Sequence, residues 1–235
     1  KDNVVNTERM VVREERRLRL ENNPDAKVQE ALWAQAYLLH PYGWPVIGDP
    51  RDVIQVPAAT IRAFYDRHYV ASNAVVVVVG DFDVATLKSK LTAAYGGLPK
   101  VDRPKRETPT EPIQREERRY RLRDPSGGER VSWAYHITSA REDDSYSLDV
   151  LSNILFEGSS ARMHRSLVEE RKQAIAVSGT AFTPDSPGLF LMNTVARQGV
   201  GADKIEESMG AVLEDVKSKG VTPEEVGIAI KQLTL

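Results

Sequence analysis

Apolar residues recur at helical spacing in some stretches of this 235-residue chain and at strand spacing in others, and the alternation predicts its elements. Residues 7–20 (TERMVVREERRLRL) carry only a sparse apolar stripe of Met10, Val11, Leu18 and Leu20 among straight-chain residues, which predicts a mostly polar helix. Asn22 and Asn23 interrupt it, and Pro24, with a backbone angle suited to a first helical position, opens a helix expected over Asp25–Leu39. Residues 40–50 (HPYGWPVIGDP) are dense in proline and glycine and predict a structured loop. Ile61, Phe64 and Tyr65 then recur at helical spacing in a helix expected over Pro57–Tyr69. The five consecutive β-branched residues Val75–Val79 predict a strand buried on both faces. Asp81 and Asp83 follow, then a helix over Val84–Tyr95 closed by Gly96 and Gly97.

Between 99 and 115 prolines alternate with charges and large apolar residues are scarce, the composition of an extended linker. Beyond it two strands are expected at Glu117–Leu122 and Glu129–Thr138, joined by the turn DPSGG, and then helices over Asp143–Phe156 and Ser160–Arg171. A second strand pair is expected at 173–182 and 188–196, followed by helices over 202–218 and from Thr222, where Thr222 and Glu225 make a capping box. The expected class is therefore α+β, with a largely antiparallel sheet and helices packed on one face. The boundaries expected are 1–98, a proline-rich linker at 99–115, and a second domain at 116–235.

Composition narrows the functional classes. With 41% hydrophobic and 28% charged residues the chain reads as globular, and no apolar stretch approaches the roughly 20 residues of a bilayer crossing. Thirty-two basic and 34 acidic residues give a net charge of -2, so no global field favours nucleic acid. No cysteine is present, which removes disulfides, thiolate zinc sites and cysteine nucleophiles. A start at Lys1 predicts a processed or truncated product.

Candidate chemistry is sparse. None of His40, His68, His136 and His164 lies four residues from another, so no complete zinc-protease motif exists. His40, followed by proline, is expected to shape its loop, and HRSLVEE at 164–170 lacks the second histidine of an HxxEH site. Asp81 and Asp83 read as a cap and turn device, and Gly127 and Gly128 lack the lysine and hydroxyl residue of a phosphate loop. Glu8 and Glu15, seven residues apart, fall on one helical face. They are either a metal-facing edge or solvated carboxylates among Arg9, Arg13, Arg16 and Arg17.

Four segments in order, ERMVVREE at 8–15, NNP at 22–24, HPYGWPVIGD at 40–49 and FYDRHYVASNAVVVVVGDFD at 64–83, together resemble the pitrilysin and insulinase family of zinc metallopeptidases. The likeness is to bacterial relatives of mitochondrial processing peptidase, and FEGSSARMHRSLVEER at 156–171 is similar to the family's second-domain segment. The resemblance implies two related α+β domains. Residues 1–98 would be the back part of the zinc domain, and 116–235 a second, inactive-type domain that is incomplete at its C-terminus. By the ERxxVxxE pattern it implies that Glu15 is the third protein ligand of one zinc ion, with Glu8 a supporting carboxylate and Glu14 facing elsewhere. The two histidines and the general base of HxxEH would lie upstream of Lys1, so the chain alone is expected to be inactive and zinc-poor. The longer protein would be a metalloendopeptidase acting on unfolded peptides.

Where many members carry an arginine and a tyrosine seven residues apart in the second domain, this sequence has Val168 and Ile175. The resemblance then implies either a catalytic subunit whose homologous partner supplies both groups, or a non-catalytic scaffold or substrate-binding subunit of the same fold. Its bacterial character points to the periplasm or cell envelope.

Overall fold

A computed structural model describes residues 2–106, 108–125 and 128–234. The chain divides into two units: Lys1–Arg16 with Val46–Thr110, and Arg17–Pro45 with Glu111–Leu235.

In the first unit, α1 spans Asp2–Arg16 without a break. A short helix α3 (Pro50–Gln55), not expected from the sequence, begins on the last residue of the proline- and glycine-rich stretch. Asp49 starts it by accepting from the Arg51 amide at 2.8 Å, and Pro50 takes the first helical position. Arg9 donates to the carbonyl of Val56 and Arg16 to that of Gly48 at 3.0 Å, so two α1 arginines hold the chain on either side of α3. Helices α4 (Ala58–His68) and α5 (Val84–Tyr95) form where expected. Asp83 caps α5, accepting from the Thr86 amide at 2.8 Å. Val75–Val79 departs from expectation: it forms no strand and has no ladder partner among the described residues, and all five valines are exposed. A β-branched run favours the extended backbone locally, whereas a strand needs a neighbour to bond to.

The second unit contains a π-helical turn (Arg17–Glu21), helix α2 (Pro24–Ala36), and a three-stranded antiparallel sheet. Asn23 caps α2 by accepting from the amides of Asp25 and Ala26. The strands are β1 (Arg130–His136), β2 (Ala174–Phe182) and β3 (Leu189–Ala196), in the order β1-β3-β2, with Trp133 opposite Met192 and Ala181 opposite Phe190. A register shift between Ala174 and Ala176 leaves Ile175 as a bulge residue. Glu117–Leu122, expected as a strand, makes no ladder bonds among the described residues.

Four helices complete the unit: α6 (Asp144–Phe156), a short α7 (Arg162–His164) that widens into a π-helical turn (Arg165–Glu170), α8 (Ala202–Lys219) and α9 (Pro223–Thr234). The two-residue period of β3 divides its side chains between two clusters. Phe190, Met192 and Ala196 join Leu155, Met163, Leu167, Ile205 and Met209 in the main core, where each fully buried leucine contributes about 1.5–3 kcal/mol. Leu189 and Leu191 on the opposite face pack with Ala36 and Tyr37, flanked by Leu32 and Trp33 of α2. The sheet is therefore covered on a second face by α2, a helix the sequence order gave no reason to place there. Gly179 lets α6 approach β2, since a Cβ there would meet the Phe156 ring at 2.2 Å. Among the described residues no helix is long and apolar enough to cross a membrane.

Candidate functional site

Because α1 is unbroken, Glu8 and Glu15 stand on one face, about 10.5 Å apart along the helix axis. Glu15 is half-buried, Glu8 and Glu14 are exposed, and Arg16 beside them is buried. Glu14 lies about 100° around the helix from Glu15 and so points away from that face. Among the described residues no three His, Asp or Glu side chains converge into a set that could hold a metal ion. A single carboxylate offers neither the donor number nor the geometry zinc requires, so Glu15 alone does not fit the ion.

The histidines are dispersed. His68 lies against Phe64 at 4.5 Å between ring centroids, and His164 Nδ1 is 3.6 Å from Glu169 Oε1. His40 shapes its loop: its Nδ1 accepts from the Tyr42 amide at 3.2 Å, capping a 3₁₀ turn at Pro41–Gly43. His136 Nε2 lies 3.1 Å from the Ala36 carbonyl.

His40 and His136 do share one neighbour, Tyr37, at ring-centroid distances of 5.6 and 5.2 Å. The Tyr37 hydroxyl donates to the Pro187 carbonyl at 2.8 Å, and burial, reinforced by Tyr42 and Glu111, pushes its ionisation far above the usual phenol range. The Glu111 carboxylate receives the amides of Leu38, Leu39 and His40 at 2.7–2.9 Å. Burial works against its charge, yet these three donors hold its pKa below the ordinary value. This cluster was invisible in the sequence because its members lie up to 150 residues apart. Each polar contact closes on backbone, which suits it to fixing the end of α2 rather than to chemistry.

Val168 and Ile175, the two residues that the resemblance singles out in the second domain, lie in different surroundings. Val168 is part of the π-helical turn and packs against the main core, whereas Ile175 is an exposed residue of β2. Neither side chain can donate a hydrogen bond.

Comparison with known proteins decides the ancestry. The family model described as the peptidase M16 inactive domain matches residues 55–233, most of the chain. The chain belongs to the M16 peptidase family. Zinc protease PqqE of Helicobacter pylori is 29% identical over 222 residues, covering 93% of this chain and 50% of that protein. The crystal structure of a protease from Helicobacter pylori superposes with a TM-score of 0.90 at 28% identity, covering all of this chain and 57% of the other. A peptidase M16 inactive domain from Pseudomonas fluorescens shares the fold at a TM-score of 0.83 and 20% identity, covering all of this chain and 56% of its own. The M16 chain thus spans about half the length of these three relatives. The pitrilysin and insulinase resemblance and the α+β class both stand.

Proposed function

We propose that the longer protein to which this M16 chain belongs is a zinc-dependent endopeptidase acting on unfolded peptides, and that the chain contributes the metal ligand Glu15 with Glu8 behind it. The observation that carries this is the unbroken helix α1, which sets the two glutamates one heptad apart on one face with the later one half-buried, in a chain 29% identical to a zinc protease. The remaining ligands and the general base come from the part of the protein outside these residues. A homologous partner subunit supplies the arginine and tyrosine whose places are taken by Val168 and Ile175. The test is to purify the full-length protein, measure its zinc by elemental analysis, and assay cleavage of a quenched-fluorescent unstructured peptide before and after chelation. One zinc per chain and chelator-sensitive cleavage support the reading. Cleavage indifferent to chelation contradicts it.

A second reading, a non-catalytic scaffold or substrate-binding subunit, is favoured by the match to a domain described as inactive and by the two aliphatic replacements. It predicts peptide binding without zinc and without cleavage in the same preparation.

A further inference from the structure

Between Arg162 and β2 the chain holds one residue more than an α-helix would use. An α-helix brings residues three and four apart onto one face, whereas a π-helical turn brings together residues five apart. In the turn Arg165–Glu170 the Arg171 amide donates to the Ser166 carbonyl, five residues back, at 3.0 Å. His164 Nδ1 and Glu169 Oε1 face each other at 3.6 Å, and so do Arg165 Nε and Glu170 Oε1. Both pairs have the π spacing. By the same spacing Val168 stands over Met163, which is 1% exposed, and it packs against the main core. In an α register Val168 would stand over His164 instead, a half-buried residue on the flank of the turn.

Both ends of this segment are anchored. Upstream, Arg162 donates to Glu225 through Nε and Nη2 at 2.7 and 2.8 Å, and to the Gly220 carbonyl at 3.0 Å. Downstream, the Arg197 amide donates to the Gln173 carbonyl at 2.8 Å, and its Nε to the Ala174 carbonyl at 3.1 Å. Lys172, between the anchors, has a φ of 53°, the left-handed region that a residue with a Cβ enters only under constraint. A segment fixed at both ends has nowhere to send its extra residue, so the turn stays wide.

We infer that the π-helical turn, more than the valine itself, withdraws position 168 from the surface: anchored at both ends, it holds the side chain at this position against Met163. The inference rests on the peptidase reading only for its consequence. In that reading Val168→Arg would not supply the missing arginine, which has to come from another chain.

Single cysteines test the geometry, since the M16 chain has none of its own. Val168→Cys and Glu169→Cys are made separately in the full-length protein, and reaction with a soluble thiol reagent is read as the rate gained over the parent. Val168→Cys is expected to react at least about tenfold more slowly than Glu169→Cys, whose position is exposed. Deleting Glu169 removes the extra residue and leaves Arg165 and Glu170 four apart; it should bring the Val168→Cys rate to within about threefold of the exposed control. Equal rates in the two single-cysteine proteins would overturn the inference, as would a Val168→Cys rate that the deletion leaves unchanged. A deletion that unfolds the protein leaves the first comparison to decide, together with Val168→Arg, which should leave cleavage as dependent on the partner as before. Partner-independent cleavage by Val168→Arg would overturn the inference. Slow labelling without zinc or cleavage would leave it standing and remove the peptidase reading, and chelator-sensitive cleavage with equal labelling rates would do the reverse.

Discussion

Replacing Glu225 by glutamine removes one charge from the network that seats α9. Its two carboxylate oxygens receive Arg162 Nε and Nη2 at 2.7 and 2.8 Å, and the amide and hydroxyl of Thr222 at 2.7 and 3.0 Å. The Glu225 amide completes the capping box by donating to the Thr222 hydroxyl at 3.2 Å. Chiefly through the Arg162 hydrogen bonds, against the opposing effect of burial, the carboxyl is held at about 2 instead of 4.5. That difference sets a ceiling of about 3 kcal/mol. The carboxylate side chain is 29% exposed, and Arg162 keeps Asp215 and the Gly220 carbonyl as partners, so screening reduces the expected loss to about 1–2 kcal/mol. The sign follows from the lowered pKa: the contribution is complete above the unfolded value of 4.5 and is lost as pH falls toward 2. Urea unfolding followed by tryptophan fluorescence suits the test, because Trp33, Trp44 and Trp133 all belong to the second unit. At neutral pH the variant should unfold at lower urea by the equivalent of about 1–2 kcal/mol, and near pH 3 the gap should shrink to less than half. A gap that stays constant between these pH values, or one below about 0.5 kcal/mol at neutral pH, would refute the assignment of this stability to the charged pair.

Two glycines should respond in opposite directions. At Gly188 an added Cβ would sit 1.9 Å from the Phe182 carbonyl oxygen, a backbone atom that cannot swing aside, so Gly188→Ala should destabilise the second unit by about 2 kcal/mol or more in the same urea assay. Gly227 lies inside α9 with nothing within 4 Å of its would-be Cβ, and Gly227→Ala should stabilise by about 0.5–1 kcal/mol. Glu111→Ala strips three amides at the end of α2 of their acceptor. It should cost about 1–2 kcal/mol, with faster hydrogen exchange at Leu38, Leu39 and His40 as the diagnostic readout.

What the sequence revealed was mostly local. Helices α4, α5, α6 and α8, the three strands, and the Thr222 and Glu225 capping box all follow from periodicity and caps within a few residues. Helix α3 carries an Asp49-Pro50 start signal that its proline- and glycine-rich surroundings concealed. Partners distant in the chain were not legible: α2 against the second sheet face, Arg162 with a glutamate 63 residues away, and Glu111 beneath the amides of 38–40. Strands were expected at Val75–Val79 and Glu117–Leu122 and neither forms, because pairing depends on a neighbour that local sequence does not name. The candidate site divides in the same way. Helical spacing put Glu8 and Glu15 on one face, while their role came from resemblance, because a carboxylate pair carries no signature of its own.

The most direct test of the account is the zinc content of the full-length protein carrying Glu15→Gln, measured beside Glu14→Gln as its neighbour on another face of α1. The account predicts that Glu15→Gln loses zinc and peptide cleavage together, because a neutral amide is a poorer ligand than a carboxylate, while Glu14→Gln keeps both. Full zinc and full cleavage in the Glu15→Gln protein would contradict it.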